Sequence, residues 1–337
     1  MRFYALRYSG VSGVAALSQN GRPKIEPKPC SGRSLPMPTK RALVVGPTFV
    51  DIVMAEMNRL PTPGEEIHVR QAAWAPGGYA ISALALQQLG IETTLLTDIG
   101  TDELGAMLLS RLKSAGLNVN EVGASDRTNI AVSLNWSGDR SIISYTHPFS
   151  DPTRRVHELI THQIDLALLS ARHPYARSIA AECFAQHVPI ALSLSWHPEF
   201  LMSSALKQLF PYAHYLFANV PEALIVTEES NFLKALGSLA QMIPEVMVTR
   251  GAQGVVAMIE GEFFDVPAPP AIMVDATGAG DVFAATYLAA ALRGIKPLNR
   301  LKYANRAAAH AIEAVGSITN DLNWPALQSQ GLGREDA

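Results

Sequence analysis

From Arg41 onward, short β-branched apolar runs alternate with longer segments whose apolar residues recur at helical spacing. Residues 42–46 form an unbroken apolar run closing in a glycine, which predicts a strand buried on both faces. Residues 78–89 carry small and apolar side chains at helical intervals and stop at Gly90, so they predict a helix with a glycine C-cap. A strand is predicted over 93–99. An amphipathic helix is predicted over 103–115, with Leu104, Leu108 and Leu112 on one face and Gly116 after it. Further strands are predicted at 166–170, 190–194, 215–217 and 246–249, with helical segments between most of them. This alternation builds an α/β domain in three layers, α/β/α, around a mostly parallel sheet.

Two stretches break the rhythm. Residues 52–74 hold Pro61, Pro63 and Gly64 between short extended pieces. Residues 129–146 alternate apolar and polar positions on either side of Ser137, Gly138 and Asp139, the signature of a hairpin. Both predict strands outside the main sheet, which together form a small β-sheet lid over one end of the domain. There is no internal repeat and no heptad pattern.

Residues 1–40 lack periodicity, and from 18 onward they are rich in Pro, Gly, Ser and Lys. They are expected to be a disordered or loosely attached extension, and residues 329–337 a flexible tail, leaving 41–328 as the folded domain. Arg2, Arg7 and the apolar stretch 11–17 imitate a signal peptide faintly, but Gly10 and Gly13 interrupt it. Met37, just ahead of the first strand, is an alternative start, which intact-mass measurement on protein from the native host would test. With 48% hydrophobic and 17% charged residues and a net charge of −3, the chain is expected to bury a large core and to bind neither nucleic acid nor an anionic membrane. No apolar run reaches the roughly 18 residues that span a bilayer. Two cysteines, Cys30 and Cys183, make no disulfide framework, so a cytoplasmic setting is expected.

The chemistry concentrates in residues 274–281, Val-Asp-Ala-Thr-Gly-Ala-Gly-Asp, followed by an Ala-rich helical segment that ends at Gly294. Gly278, Ala279 and Gly280 then lie at a helix N-terminus, where free N–H groups and the positive dipole end make an anion site. Asp281 sets a carboxylate beside it, placed to accept the proton of an attacking hydroxyl in a phosphoryl transfer. The alternative is a glycine-rich helix start whose Asp merely favours the dipole.

The companions of this run decide between the two. The run resembles the C-terminal signature of the ribokinase/PfkB carbohydrate kinase family. Gly46 and Asp51, the pair Gly77-Gly78, the segment Gly100-Thr101-Asp102 with Gly105, Asn219 with Glu222, Val248 to Gly251 with Gly254, and Asn305 resemble further elements in family order. The resemblance covers about 41–327 and implies a ribokinase-like fold and ATP-dependent phosphorylation of a primary hydroxyl on a sugar or sugar derivative. It implies Asp281 as general base and Gly278, Ala279 and Gly280 as the anion hole. Asp51, Gly77 and Gly78 would hold the acceptor. Asn219, Thr249, Arg250, Gly251, Gly254 and Asn305 would lie at the nucleotide, and Glu222 would anchor Mg²⁺ through water. Asp275 and Thr277 match positions that bind a monovalent cation in many members, which adds K⁺ to ATP and Mg²⁺ as a cofactor to test. A homodimer through the lid is a common family assembly.

Structural alternatives stand beside several of these roles. Asn219 and Glu222 also fit a helix N-cap with its capping-box partner, and Pro221 supports that. Arg250 also fits a solvated loop charge, Asn305 an exposed helix face, and Trp74 and Trp136 either stack on substrate or cover the lid. Two departures from the ribokinase pattern bear on substrate. Ser82 stands where sugar kinases of the family usually have Asn, and Arg172 lies in the region where ribokinase has a Glu after its middle strand. Arg172 fits either recognition of an anionic acceptor or a surface charge. A nucleoside or pyrimidine-precursor kinase is the alternative function, and a non-catalytic sensor is disfavoured by the intact base and anion hole. There is no G-x-x-x-x-G-K-[ST] and no H-E-x-x-H or Cys/His cluster.

Overall fold

The computed structural model describes residues 39–136, 139–161, 163–316 and 322–329. The expected extension up to residue 38, with Cys30, the tail from 330 and the turn residues Ser137 and Gly138 lie outside the described residues. In chain order the elements begin with β1 (Arg41–Val45), β2 (Thr48–Met57), β3 (Gln71–Gly78), α1 (Tyr79–Gln88), β4 (Glu92–Leu96), β5 (Asp98–Gly100), α2 (Glu103–Ser114) and β6 (Gly123–Ser125). Then come β7 (Ile130–Trp136), β8 (Asp139–Tyr145), α3 (Thr153–Ile160), β9 (Leu166–Ser170), α4 (Ala176–Ala185), β10 (Ile190–Ser193), α5 (Pro198–Leu201) and α6 (Ser204–Lys207). The chain continues with β11 (Tyr215–Asn219), α7 (Val220–Thr227), α8 (Phe232–Ala240), β12 (Glu245–Thr249), β13 (Val255–Ile259) and β14 (Glu262–Val266). It closes with α9 (Ala279–Leu292), α10 (Pro297–Ala311) and α11 (Trp324–Ser329).

Eight strands form the central sheet in the order β14-β13-β12-β11-β10-β9-β1-β4. It is parallel from β12 through β4, and β13 and β14 extend it antiparallel. Successive residues of each strand feed opposite layers, as the two-residue period requires. Ala42 and Val44 join one core with α1, α9 and α10, whereas Leu43 and Val45 join the other with α3, α4, α7 and α8. Hence both faces are covered, as expected from the strand–helix alternation.

Differences from the expected elements have local causes. The strand expected over 93–99 breaks at Thr97, and Asp98 leaves the main sheet to pair with Gly123 in a separate two-stranded ladder. The strands β13 and β14 were not among those expected. They pair antiparallel across the tight Glu260-Gly261 turn, whose residues both have positive φ.

The lid is a four-stranded sheet in the order β3-β2-β7-β8. Its strands are longer than the short pieces expected, since β2 already starts at Thr48 and β3 runs to Gly78. Pairing places Trp74, Ile52, Val132 and Ile143 in one row across all four strands. The neighbouring row, Ala75, Asp51, Ala131 and Ser144, therefore faces the other way, toward the main domain.

Candidate active site

The parallel strands β1, β9, β10, β11 and β12 all end at the same edge, where open α/β sheets place their ligand crevice. A cavity of about 1090 Å³ lies there, between that edge and the inner face of the lid. It exceeds the usual size of a single-ligand pocket and has room for a nucleotide and an acceptor together.

The mouth of α9 opens into it. Gly278 caps the helix with φ 73°, a left-handed conformation that glycine adopts without a Cβ penalty. A Cβ at Gly280 would meet no protein atom within 4 Å, so the backbone there is bare to the cavity. The first-turn N–H groups point out of the helix without intrahelical acceptors. Asp281 sits in this first turn and lines the cavity. Its pKa is pushed up from 3.8 to about 7, chiefly by desolvation, with a hydrogen bond from Ser82 and the charge of Arg140 opposing the shift.

Both α9 and α1 are rich in small residues and buried nearly throughout, which lets them pack closely. That approach brings Ser82 Oγ of α1 to 3.4 Å from Asp281 Oδ1, to which it donates. Ser82, expected to contact substrate, is thus 1% exposed and spends its hydroxyl on the carboxylate instead.

Asp51 projects from β2 on the inner face of the lid, and its Oδ1 is buried without a hydrogen-bond partner. Desolvation, with the charges of Asp281 and Asp275 adding, raises its pKa to about 7. Gly77 packs straight against it, since an ideal Cβ at that residue would lie 1.9 Å from Asp51 Oδ1. Gly78 has φ 60° and would set a Cβ 2.4 Å from the Pro47 carbonyl. The glycine pair is therefore required by the carboxylate and by the strand-to-helix turn behind it.

Folding raises both carboxyl pKa values, from 3.8 to about 7. Between these values the native protein holds protons the unfolded chain has released, so this contribution to stability is full below about pH 4 and is lost as pH rises through 7. Asp51→Asn is expected to raise the thermal midpoint by roughly 2–4 °C at pH 8, about the shift that 1 kcal/mol produces in a domain of this size class, and by less at pH 5. Calorimetry at the two pH values checks this; an equal gain at both would contradict it.

A buried polar knot ties the lid to the loop that precedes α9. Asn135 Nδ2 donates to Asp275 Oδ1 at 3.0 Å, and Ser133 Oγ donates to Asn135 Oδ1 at 2.8 Å. Ser133 and Thr277 hydroxyls lie 3.3 Å apart. Asp275 also accepts from Thr277 N at 2.9 Å and from Gly316 N at 3.1 Å. Its charge is thus met by three N–H donors, and a monovalent cation bound by Asp275 and Thr277 would have to share or displace the Asn135 amide. Ser133 and Asn135 were not singled out from sequence, although their two-residue spacing in a hairpin strand puts them on one face. Asn135→Ala is expected to cost about 1–3 kcal/mol, the loss of a buried hydrogen bond to a charged group, and to lower kcat more than the affinity for nucleotide. Denaturant unfolding and steady-state kinetics check it; an unchanged kcat would contradict the coupling.

On the other side of the cavity, Asn219 and Glu222 form a full capping box at the start of α7, with Glu222 N to Asn219 Oδ1 and Asn219 N to Glu222 Oε2 both at 2.9 Å. Both residues also line the cavity. Burial raises the pKa of the Glu222 carboxyl, and hydrogen bonds from the backbone and side chain of Asn219 oppose the shift. A carboxylate on a cavity wall suits a hydrated Mg²⁺, which keeps most of its waters. No cluster of three acidic, His or Cys ligands occurs among the described residues.

Thr249 lines the cavity too, but Arg250, Gly251, Gly254 and Asn305 lie outside its lining. Arg250, expected at a phosphate, pairs with Asp265, donates to Gln253 O at 3.1 Å and stacks over Phe232. Gly254 has φ 86° and would set a Cβ 2.1 Å from Val266 O. Asn305 is buried rather than on an exposed face, and its Nδ2 holds Val266 O and Pro267 O at 3.0 and 3.2 Å. Gly254 and Asn305 thus fix the segment that leaves β14 at Val266 and Pro267. Of the two lid tryptophans, Trp136 lines the cavity, whereas Trp74 is 40% exposed on the outer row. Arg172 and Arg140 also line the cavity.

Residues 39–324 match the model of the pfkB family of carbohydrate kinases. The chain belongs to that family. It is therefore an ATP-dependent phosphotransferase whose acceptor is an alcohol. A ribokinase of Bacillus subtilis (strain 168) is 27% identical over 283 residues, covering 81% of this chain and 93% of the relative. A nucleoside kinase of Methanocaldococcus jannaschii is 23% identical over 294 residues, covering 83% and 93%. The crystal structure of an Escherichia coli ribokinase II in complex with ATP and Mg²⁺ shares the fold, with a TM-score of 0.75, 22% identity and coverage of 86% of this chain and 98% of that one. No helix among the described residues is long and apolar enough to cross a membrane.

Proposed function

We propose that this pfkB-family kinase moves the γ-phosphoryl group of MgATP onto a primary hydroxyl of a sugar or sugar derivative, with Asp281 as general base. The observation that carries this is the placement of Asp281, with its raised pKa, beside the bare N-terminus of α9 in the same cavity as the unpartnered Asp51 Oδ1. Asp51 accepts hydrogen bonds from acceptor hydroxyls and fixes the reacting one. Asp281 takes the proton of that hydroxyl as its oxygen bonds to the γ-phosphorus. The bond to the β–γ bridging oxygen breaks, and ADP leaves. The N–H groups around Gly278, Ala279 and Gly280, of which that of Ala279 reaches the Ala276 carbonyl only at 3.5 Å, bind the oxygens of the moving group, where charge accumulates.

Mg²⁺, when bound, neutralises phosphate charge; Glu222 would hold its waters. Asn219 and Thr249 border the nucleotide, and the lid excludes water from the reaction. Asp275 and Thr277 would be the ligands of an activating K⁺, and comparing turnover in potassium and in tetramethylammonium salts decides whether one is used. A homodimer through the lid is supported by the exposed outer-face residues Trp74, Ile143 and Tyr145. The function is tested by ATP consumption over a panel of sugars, sugar acids and nucleosides. Sugars or their derivatives should be turned over, and turnover confined to nucleosides would overturn the acceptor assignment.

A further inference from the structure

Several arginines of the domain are matched to acids: Arg155 to Asp98, Arg250 to Asp265 and Arg300 to Glu245. Arg172 is not. Among the described residues no carboxylate or carbonyl receives its guanidinium, although it lines the cavity and the surrounding protein holds its pKa below the usual arginine value by desolvation. The side chain stays solvent-accessible, so its open donors face the space a ligand would fill.

Its place in the sheet says which ligand. Arg172 follows β9, next to β1, whose end leads to Asp51. Thr249 closes β12, three strand intervals from β9 in the sheet order, or roughly 14 Å at about 4.8 Å per interval. Arg172 thus stands on the acceptor side rather than against the nucleotide wall. A second guanidinium approaches from the lid. Arg140 of β8 pairs in register with Asn135, which puts it on the inner face with Asp51, and it also lines the cavity. The carboxylates of the cavity have other tasks: Asp51 for hydroxyls, Asp281 for the proton, Glu222 for hydrated Mg²⁺. A neutral polyol gives Arg172 no counter-charge. The planar fork of a guanidinium matches the paired oxygens of a carboxylate or phosphate.

We propose, resting on the kinase function above, that the acceptor is an anionic sugar derivative, and that Arg172 with Arg140 binds a carboxylate or phosphate on it at a distance from the reacting hydroxyl. The test compares kcat/KM for neutral and anionic acceptors that each carry a primary hydroxyl: glucose against gluconate, and fructose against fructose 6-phosphate. At least one anionic member should exceed its neutral partner by tenfold or more, and which one does so tells carboxylate from phosphate. Arg172→Ala should lower kcat/KM for that acceptor by roughly 10- to 100-fold more than for the neutral one, the range expected for charge-assisted hydrogen bonds. Arg172→Lys should recover only part of the loss. Preference for neutral acceptors, or a rise in the KM for ATP in place of that for the anion, would overturn the proposal.

Binding is measured in parallel by calorimetry on Asp281→Asn protein with a non-hydrolysable ATP analogue. Tighter binding of gluconate or fructose 6-phosphate than of glucose or fructose, lost on adding Arg172→Ala, supports the site even if none of the four is phosphorylated. Equal or absent binding of the anions contradicts it. Failure of the kinase function would show instead as no phosphorylation of any acceptor in the wider panel.

Discussion

Asp281→Asn is expected to lower kcat by roughly 10²- to 10⁴-fold, the span attributed to a positioned general base. The amide keeps the size of the side chain and can keep the contact with Ser82, but it cannot take a proton. Because the lost interaction belongs to the transition state, kcat and kcat/KM should fall together while calorimetric affinity for ATP changes little. The raised pKa gives an independent sign. In wild type the base is active when ionised, so kcat/KM should climb with pH through about 7 and then level. The neighbouring Asp51 titrates in the same range and is coupled to it, so the profile reports the pair. A variant with near-normal kcat would remove Asp281 from the chemistry.

Gly77→Ala is expected to be nearly as damaging and for a different reason. The new methyl would occupy space held by the Asp51 carboxylate, whose Oδ1 lies 1.9 Å from that position, and β3 has no slack because it runs directly into α1. Overpacking of this kind costs about 1–3 kcal/mol of stability. Its functional consequence should be larger, since Asp51 must turn away from the acceptor. The expected result is a rise of at least tenfold in KM for the acceptor, with the KM for ATP nearly unchanged. Alanine at Gly280, where a Cβ meets no protein atom, should by contrast leave the fold intact and act on phosphoryl transfer. If Gly77→Ala left acceptor KM unchanged, Asp51 would not be the acceptor's anchor.

The layered fold and the helix-mouth site were legible because they rest on local signals. Buried parallel strands are continuous apolar runs, and Gly278 to Asp281 announce a helix start by residue type alone. The register of the lid was less legible. The hairpin pattern around 129–146 shows alternation, but nothing local says that β7 pairs parallel with β2, and that pairing is what brings Asn135 to Asp275. The motif-derived positions divide similarly. Asp51, Gly78, Asn219, Glu222 and Thr249 line the cavity. Arg250 and Asn305 carry polar groups whose partners, Asp265 and the Val266–Pro267 carbonyls, come from a strand pair that the sequence did not mark. Ser82 illustrates a further limit, since its reach to Asp281 depends on how closely α1 and α9 pack.

Transfer of label from γ-³²P-ATP tests the central claim most directly. With a sugar or sugar-acid acceptor, wild-type protein should place the label in an acid-stable phosphomonoester on the primary hydroxyl, and Asp281→Asn should reduce that product by at least about 10²-fold. Label recovered only as inorganic phosphate, or phosphomonoester formed equally well by Asp281→Asn, would contradict it.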